Sequence, residues 1–249
     1  MNNLALSDEI LLKIEKPVRY IGNEVNMVRK DPKGKIRFAM CFPDVYEIGM
    51  SHLGMKIIYD QMNRRDDIYC ERVFSPWVDL DKVMREENIP LFALESQDPV
   101  FMFDFLAITI QYEMCYTNIL QILELSQIPL HSCDRAENDP IVIGGGPCVY
   151  NPEPLAEFFD LFYIGEGETV YDELLEIKKA NEIIRYKDEV QKLKELFKDK
   201  KLSSSEKEYI AKKAGEINNF NIEDWMIYLK NNRSEERRVG KECLRLCRS

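Results

Sequence analysis

The chain has 249 residues, 45% of them hydrophobic and 31% charged, which is the composition of a folded globular protein and not of a disordered one. With 34 Lys and Arg against 44 Asp and Glu the formal charge is −10, which argues against a surface built to neutralise nucleic-acid phosphates. The longest apolar run, residues 100–110, is broken by Asp104 and Thr109 and falls well short of the ~20 residues that span a bilayer.

The N-terminal MNNLALSDEILLKIEK lacks a basic stretch followed by an apolar core, so no signal peptide is read. Seven scattered cysteines without an export signal point to a cytoplasmic protein with reduced thiols. Residues 1–35 read as a short amphipathic helix and a lead-in loop: Ser7 is the N-cap, Ile10, Leu11 and Ile14 share a face, and Pro17 stops the helix. Strand and helix patterns then alternate. IRFAMCFP (36–43) is a buried strand followed by the helix HLGMKIIYDQMNRR, and IYCERVF (68–74) is a strand followed by the helix DLDKVMREEN. PLFALES (90–96) reads as a short extra strand. FLAITIQY (105–112) is a strand leading into YTNILQILELSQ, and PIVIGGG (140–146) is another, followed by the short helix PEPLAEFF. LFYIGEG (161–167) closes the series before the helix ETVYDELLEIKKA. Near-continuous apolar strands alternating with amphipathic helices predict an α/β domain over 36–180. Its sheet is expected to be doubly wound, mostly parallel and five-stranded, flavodoxin-like, in the order 2-1-3-4-5, with helical appendages.

Residues 181–232 are rich in Lys and Glu, with a capping box from Ser203 to Glu206, and read as a charged helical linker. From Arg233 the composition turns Arg-rich without apolar period. RSEERRVGKEC looks like the translation of a common sequencing adapter, so 233–249, including Cys243 and Cys247, is set aside as foreign sequence; the remainder is more acidic still.

Ligands of open parallel sheets lie beyond the carboxyl ends of the strands, where strand order reverses. The loops there are PDVYEIGMSHLG (43–54), QYEMCY (111–116), GGGPCVYNPEP (144–154) and GEGE (165–168). Gly144, Gly145 and Gly146 lack Cβ atoms and allow either close approach of a bulky ligand or a sharp turn, from which Pro147 fixes the exit. Glu166 and Glu168 stand at a helix start, where they satisfy the helix dipole and repel a phosphate. No G-x-G-x-x-G is complete: Gly144-x-Gly146 runs into prolines and Gly165-x-Gly167 meets Val170. There is no phosphate loop, no G-x-S-x-G elbow and no Asp ending the central strand, where Gln111 and Tyr112 stand instead. His52 and His131 make no metal constellation, and no catalytic or metal residue is assigned. By elimination the site binds something large through backbone and shape.

EKPVRYIGNEVN, FPDVYEIGMSHLGMKIIYDQMNRR, ERVFSPWVDL, PLFALES, QYEMCYTNIL and GGPCVYNPEPLAEFFDLFYIGEGE, spread over 15–178, together resemble the N-terminal part of B12-binding-domain radical SAM proteins. The resemblance implies a cobalamin-binding-type domain at 36–180. In cis it implies a following barrel, whose C-x3-C-x2-C site holds a [4Fe–4S] cluster and S-adenosylmethionine; on this reading the chain is truncated before that barrel. It further implies cobalamin over the strand ends, its nucleotide tail passing Gly144, Gly145, Gly146 and Pro147. Met50, Ser51, His52, Leu53, Gly54, Gln111, Tyr112 and Glu113 would line the corrin, with Gly165, Glu166 and Gly167 on the rim. No membrane and no direct nucleic-acid partner is expected. Two departures stand out. Cys41, Cys70, Cys115, Cys133 and Cys148 form no cluster motif, so the chain cannot run radical chemistry alone. The D-x-H-x-x-G of histidine-ligated cobalamin modules is also absent, Tyr46 standing where the histidine would be, and His52 is placed to cap a helix instead. The alternatives are a degenerate module that binds no cobalamin and docks the barrel or its substrate, and a stand-alone nucleotide-binding α/β protein.

Overall fold

The inner strands form where apolar runs rich in β-branched and aromatic residues are long enough to be buried on both faces, and a short edge strand follows them. In the computed structural model, which describes residues 5–165 together with Gly167, Leu175, Glu176 and Lys178, these runs are β1 (Ile36–Phe42), β2 (Ile68–Phe74), β3 (Phe105–Thr109), β4 (Ile141–Gly145) and β5 (Leu161–Phe162). They belong to the first of two compact units, Met1–Glu168. Every residue of β1, β2 and β3 is buried. All pairings are parallel in the order β2-β1-β3-β4-β5, as the alternation predicts. The order reverses between β1 and β3.

Side chains alternate across the sheet. Ala39, Cys41, Val73, Leu106, Ile108 and Val142 face one layer. Against them pack Ile10 of α1 (Asp8–Leu11), Leu80 and Met84 of α4 (Val78–Glu87), and Ile119, Ile122 and Leu123 of α5 (Tyr116–Leu125). Each such side chain contributes roughly 1.5–3 kcal/mol when fully buried. On the other face, α2 (Tyr46–Ser51) brings Gly49 against Phe42 and Phe74, and α3 (Leu53–Asn63) places the Tyr59 ring 4.6 Å from the Arg72 guanidinium. The capping predictions hold: the Ser7 hydroxyl accepts from Ile10 N, and His52 Nδ1 accepts from Met55 N at 3.2 Å to open α3.

β2 is an edge strand, and side chains occupy its exposed hydrogen-bonding groups. Asn63 Oδ1 accepts from Cys70 N while its amide donates to Cys70 O; Glu95 Oε2 accepts from Arg72 N at 2.6 Å; Lys30 Nζ donates to Ile68 O at 2.8 Å. This corrects the reading of 90–96 as a strand. The segment runs beside β2 with Leu94 N donating to Arg72 O, but the next ladder position is taken by the Glu95 carboxylate, and the one bridge here is Phe92 with Pro99. Blocking an edge in this way stops strand addition. Further boundaries shift, and β3 ends at Thr109 instead of Tyr112. PEPLAEFF forms only a 3-10 turn at Glu153–Leu155, because Pro152 and Pro154 cannot donate and do not permit a continuous helix ladder. β5 is two residues long instead of seven. The predicted linker at 181–232 and the adapter-like 233–249 lie outside the described residues.

Candidate functional site

The loops leaving β1 and β3 flank the point of strand reversal. After β1 the chain turns at Pro43–Asp44, where Asp44 N donates to Phe42 O and Asp44 Oδ1 accepts from Val45 N at 2.7 Å, and it enters α2. After β3, Ile110 N continues the ladder to Gly145 O, and Tyr112 leads into a 3-10 turn at Glu113–Cys115. The Tyr112 hydroxyl donates to Asp44 Oδ2 and joins the two loops. Beside this bond Asn118 Nδ2 donates to Pro43 O and Ser75 N to Asp44 O, each at 3.0 Å, and Ser75 Oγ donates to Gln121 Oε1 at 2.7 Å. The hydrogen bond to Asp44 holds the Tyr112 phenol up at about 12, so it is a neutral donor at ordinary pH.

The three consecutive glycines have three different surroundings. A Cβ on Gly144 would lie 2.5 Å from Phe162 and 3.2 Å from Phe159, so this glycine makes room for the protein's own aromatic rings. Gly146 has φ +97° and a Cβ there would meet the backbone of Ile110 at 2.9 Å. Only Gly145 faces open space, with nothing within 4 Å of an added Cβ. Of the three, Gly144 and Gly146 thus have the protein's own atoms at the Cβ position, and Gly145 keeps that space open. Around the β3 and β4 ends, Met114 and Tyr150 are 86% and 76% exposed, and Tyr112 is exposed as well.

The predicted residues of α2 and α3 are largely engaged with the protein. Met50 Sδ accepts from Arg72 Nη1 at 3.3 Å, and Ser51 Oγ donates to Ile48 O. His52 caps α3 and its ring lies 5.2 Å from that of Phe42. Because Nδ1 is the acceptor in the cap, the proton of the neutral ring sits on Nε2. Gly54 abuts the His52 ring, and Leu53 is exposed. Gln111 Nε2 donates to Thr109 Oγ1 at 2.5 Å, Glu113 and Pro147 are exposed, and Gly165 packs against Tyr163. Gly167 is described but Glu166 is not.

Sequence reasoning missed Asp44, Asn118 and the buried ion network behind α2. Arg72 donates to Glu95 Oε1 at 2.5 Å and to Glu24 Oε2 at 3.1 Å; Glu24 in turn accepts from Tyr46, and Arg19 pairs with Glu47. Tyr46 and Met50 of α2 are thus tied into this network, while Glu47 is held by Arg19. Burial raises the Glu95 carboxyl to about 7 against the pull of Arg72. The signal in the sequence was the charged pair Glu71-Arg72 inside an otherwise apolar strand, a pattern that demands buried partners. A cleft of about 20 Å³, in part open to solvent, lies at the β2 end between Arg19, Tyr20, Arg72, Phe74, Leu80 and Phe92, away from the glycine loop. That is room for about one water molecule and far too small for a corrin.

Among the described residues, the carboxyl end offers shape and hydrogen-bond donors but no activated nucleophile. Burial raises the Cys115 and Cys148 thiols, so neither is a ready thiolate. No group of three metal-ligating side chains occurs among the described residues. The family model for radical SAM proteins, N-terminal, matches residues 54–210, well over half of the chain. The chain belongs to this radical SAM N-terminal family. It is 30% identical over 133 residues to an uncharacterised protein of Methanocaldococcus jannaschii, an alignment covering 52% of this chain and 24% of that relative. The chain thus matches about a quarter of the relative's length. No solved structure matches. Among the described residues of this radical SAM N-terminal region, no helix is long and apolar enough to cross a membrane.

Proposed function

We propose that this radical SAM N-terminal region is a cobalamin-binding-type module that holds a corrinoid flat against the carboxyl ends of β3 and β4, facing a radical SAM barrel supplied in cis. The observation that carries the reading is Gly145, a half-buried strand-end glycine with open space at its Cβ position, at the end of the sheet whose loops also carry the exposed Tyr112, Met114 and Tyr150. A flat apolar macrocycle is the kind of ligand such a surface fits, through van der Waals contact and not through ion pairs. The chain's residues fit the ring face alone. His52 Nδ1 is committed to its helix cap, so the module would supply no imidazole to cobalt. The cofactor would carry the chemistry of group transfer and the protein would hold and orient it, while the [4Fe–4S] cluster and S-adenosylmethionine belong to the barrel.

Equilibrium dialysis and visible absorption with hydroxocobalamin test the reading. A binder present at one hundred times its dissociation constant gains ~2.7 kcal/mol of stability, read as a rise in Tm. Gly145→Leu fills open space without touching the core, so it should leave the fold intact and abolish that rise. A second reading, a docking module that binds no cobalamin, is favoured by Phe159 and Phe162 filling the Gly144 position. An unchanged Tm and no retained corrinoid would select it.

A further inference from the structure

We propose that Tyr112 and Asp44 form a strap across the switch-point crevice, so that a ligand at this end of the sheet rests on the outside of the loops and sends no group down between β1 and β3. The inference deepens the corrinoid reading above and rests on it for the identity of the ligand. In a doubly wound sheet this crevice opens because the loops on its two sides diverge toward opposite faces. Here the two loops are tied together. The Tyr112 hydroxyl donates to the Asp44 carboxylate, and Asp44 O accepts from Ser75 N at 3.0 Å. Pro43 O accepts from Asn118 Nδ2 at 3.0 Å, which draws the start of α5 over the same loop.

Beneath the strap lie buried side chains. Cys41, Ile108 and Ile110 line the inner ends of β1 and β3 with 0%, 1% and 1% of their surface exposed. An aromatic base pushed between them would have to displace close-packed side chains and leave the backbone of Pro43 and Asp44 without partners. The nucleotide tail would therefore stay outside the protein instead of passing Gly144, Gly145, Gly146 and Pro147, with the corrin face in contact at Gly145.

The test has two arms, both on the full chain. In the first, amide hydrogen exchange is compared between the native chain and Tyr112→Phe, which keeps the ring but removes the donor. The amides of Val45, Ser75 and Cys115 should exchange roughly 3- to 10-fold faster, the change expected from losing one hydrogen bond. Asp44→Asn, a weaker acceptor of the same shape, should move them in the same direction by less. Unchanged exchange in both variants overturns the strap. In the second arm, dialysis compares hydroxocobalamin with cobinamide, the corrin without its nucleotide tail. Affinities equal within about threefold support an outside tail, whereas a preference for cobalamin beyond ~10-fold means the tail is buried and overturns the inference. If neither corrinoid binds, the corrinoid reading fails, and the exchange result still decides the strap.

Discussion

Glu95 has no exposed surface and accepts from both the backbone N and the Nε of Arg72. Burial raises its carboxyl to about 7, so between its ordinary value and that point the native state keeps a proton the unfolded chain has released. Its contribution to stability is therefore fully present below about pH 4.5 and is lost as pH rises through about 7. Glu71, also raised by burial, acts in the same direction. Urea unfolding between about pH 5 and 8 should show stability falling with pH by up to ~1.4 kcal/mol per unit for one proton, and Glu95→Gln should flatten that slope. A slope of the opposite sign contradicts the assignment. The glycines supply a second contrast. Gly144→Ala drives a methyl into Phe162 and should cost ~1–3 kcal/mol, whereas Gly145→Ala meets nothing and should leave stability unchanged or raise it by ~0.4–1 kcal/mol. Equal Tm values for the two variants would contradict this division. Three identical letters in a row gave no hint of it, since what separates them is the approach of residues 15 to 36 positions away in the chain.

Among elements, the junction between α3 and β2 is held by one ammonium. Lys30 Nζ donates to Asn63 O, Arg65 O and Ile68 O at 2.6–2.8 Å, ending the helix and starting the strand together. Lys30→Met removes three partners at once and should lower stability by ~2–3 kcal/mol in chemical denaturation, while Lys30→Arg should recover part of it. At the other end of α3, His52→Ala removes the N-cap and should cost about 1 kcal/mol; a loss below the error of the measurement would mean that the imidazole does no capping. The cap was legible in the sequence because capping is local and the residue sits immediately before an amphipathic run. Lys30 was not legible, because in a loop it reads like any solvated lysine until the fold brings three carbonyls to it. The segment 90–96 misled for a related reason. Its apolar residues suit a strand, but the neighbouring edge position was already filled by a carboxylate from the same segment.

For the molecule as a whole, an acidic chain around a parallel sheet predicts weak affinity for polyanions. Fluorescence anisotropy should detect no binding to duplex DNA at about 0.15 M salt, where phosphate contacts depend on released counterions. The alternation of apolar runs and amphipathic helices was enough to give the fold class, and the expected order 2-1-3-4-5 is the one observed, one of the few that right-handed crossovers allow. The absence of a G-x-x-x-x-G-K-[ST] or G-x-S-x-G string was likewise visible without coordinates. The strung blocks over 15–178 carried the resemblance, and the match over 54–210 supports its radical SAM N-terminal part. Only the tertiary structure decided what occupies the carboxyl end: that Phe162 fills one glycine, that the Ile110 backbone abuts another, and that Tyr112 reaches Asp44. Periodicity reports which way a side chain points relative to its own strand. Whether the space it points into is already taken depends on residues distant in sequence, and no local pattern encodes that.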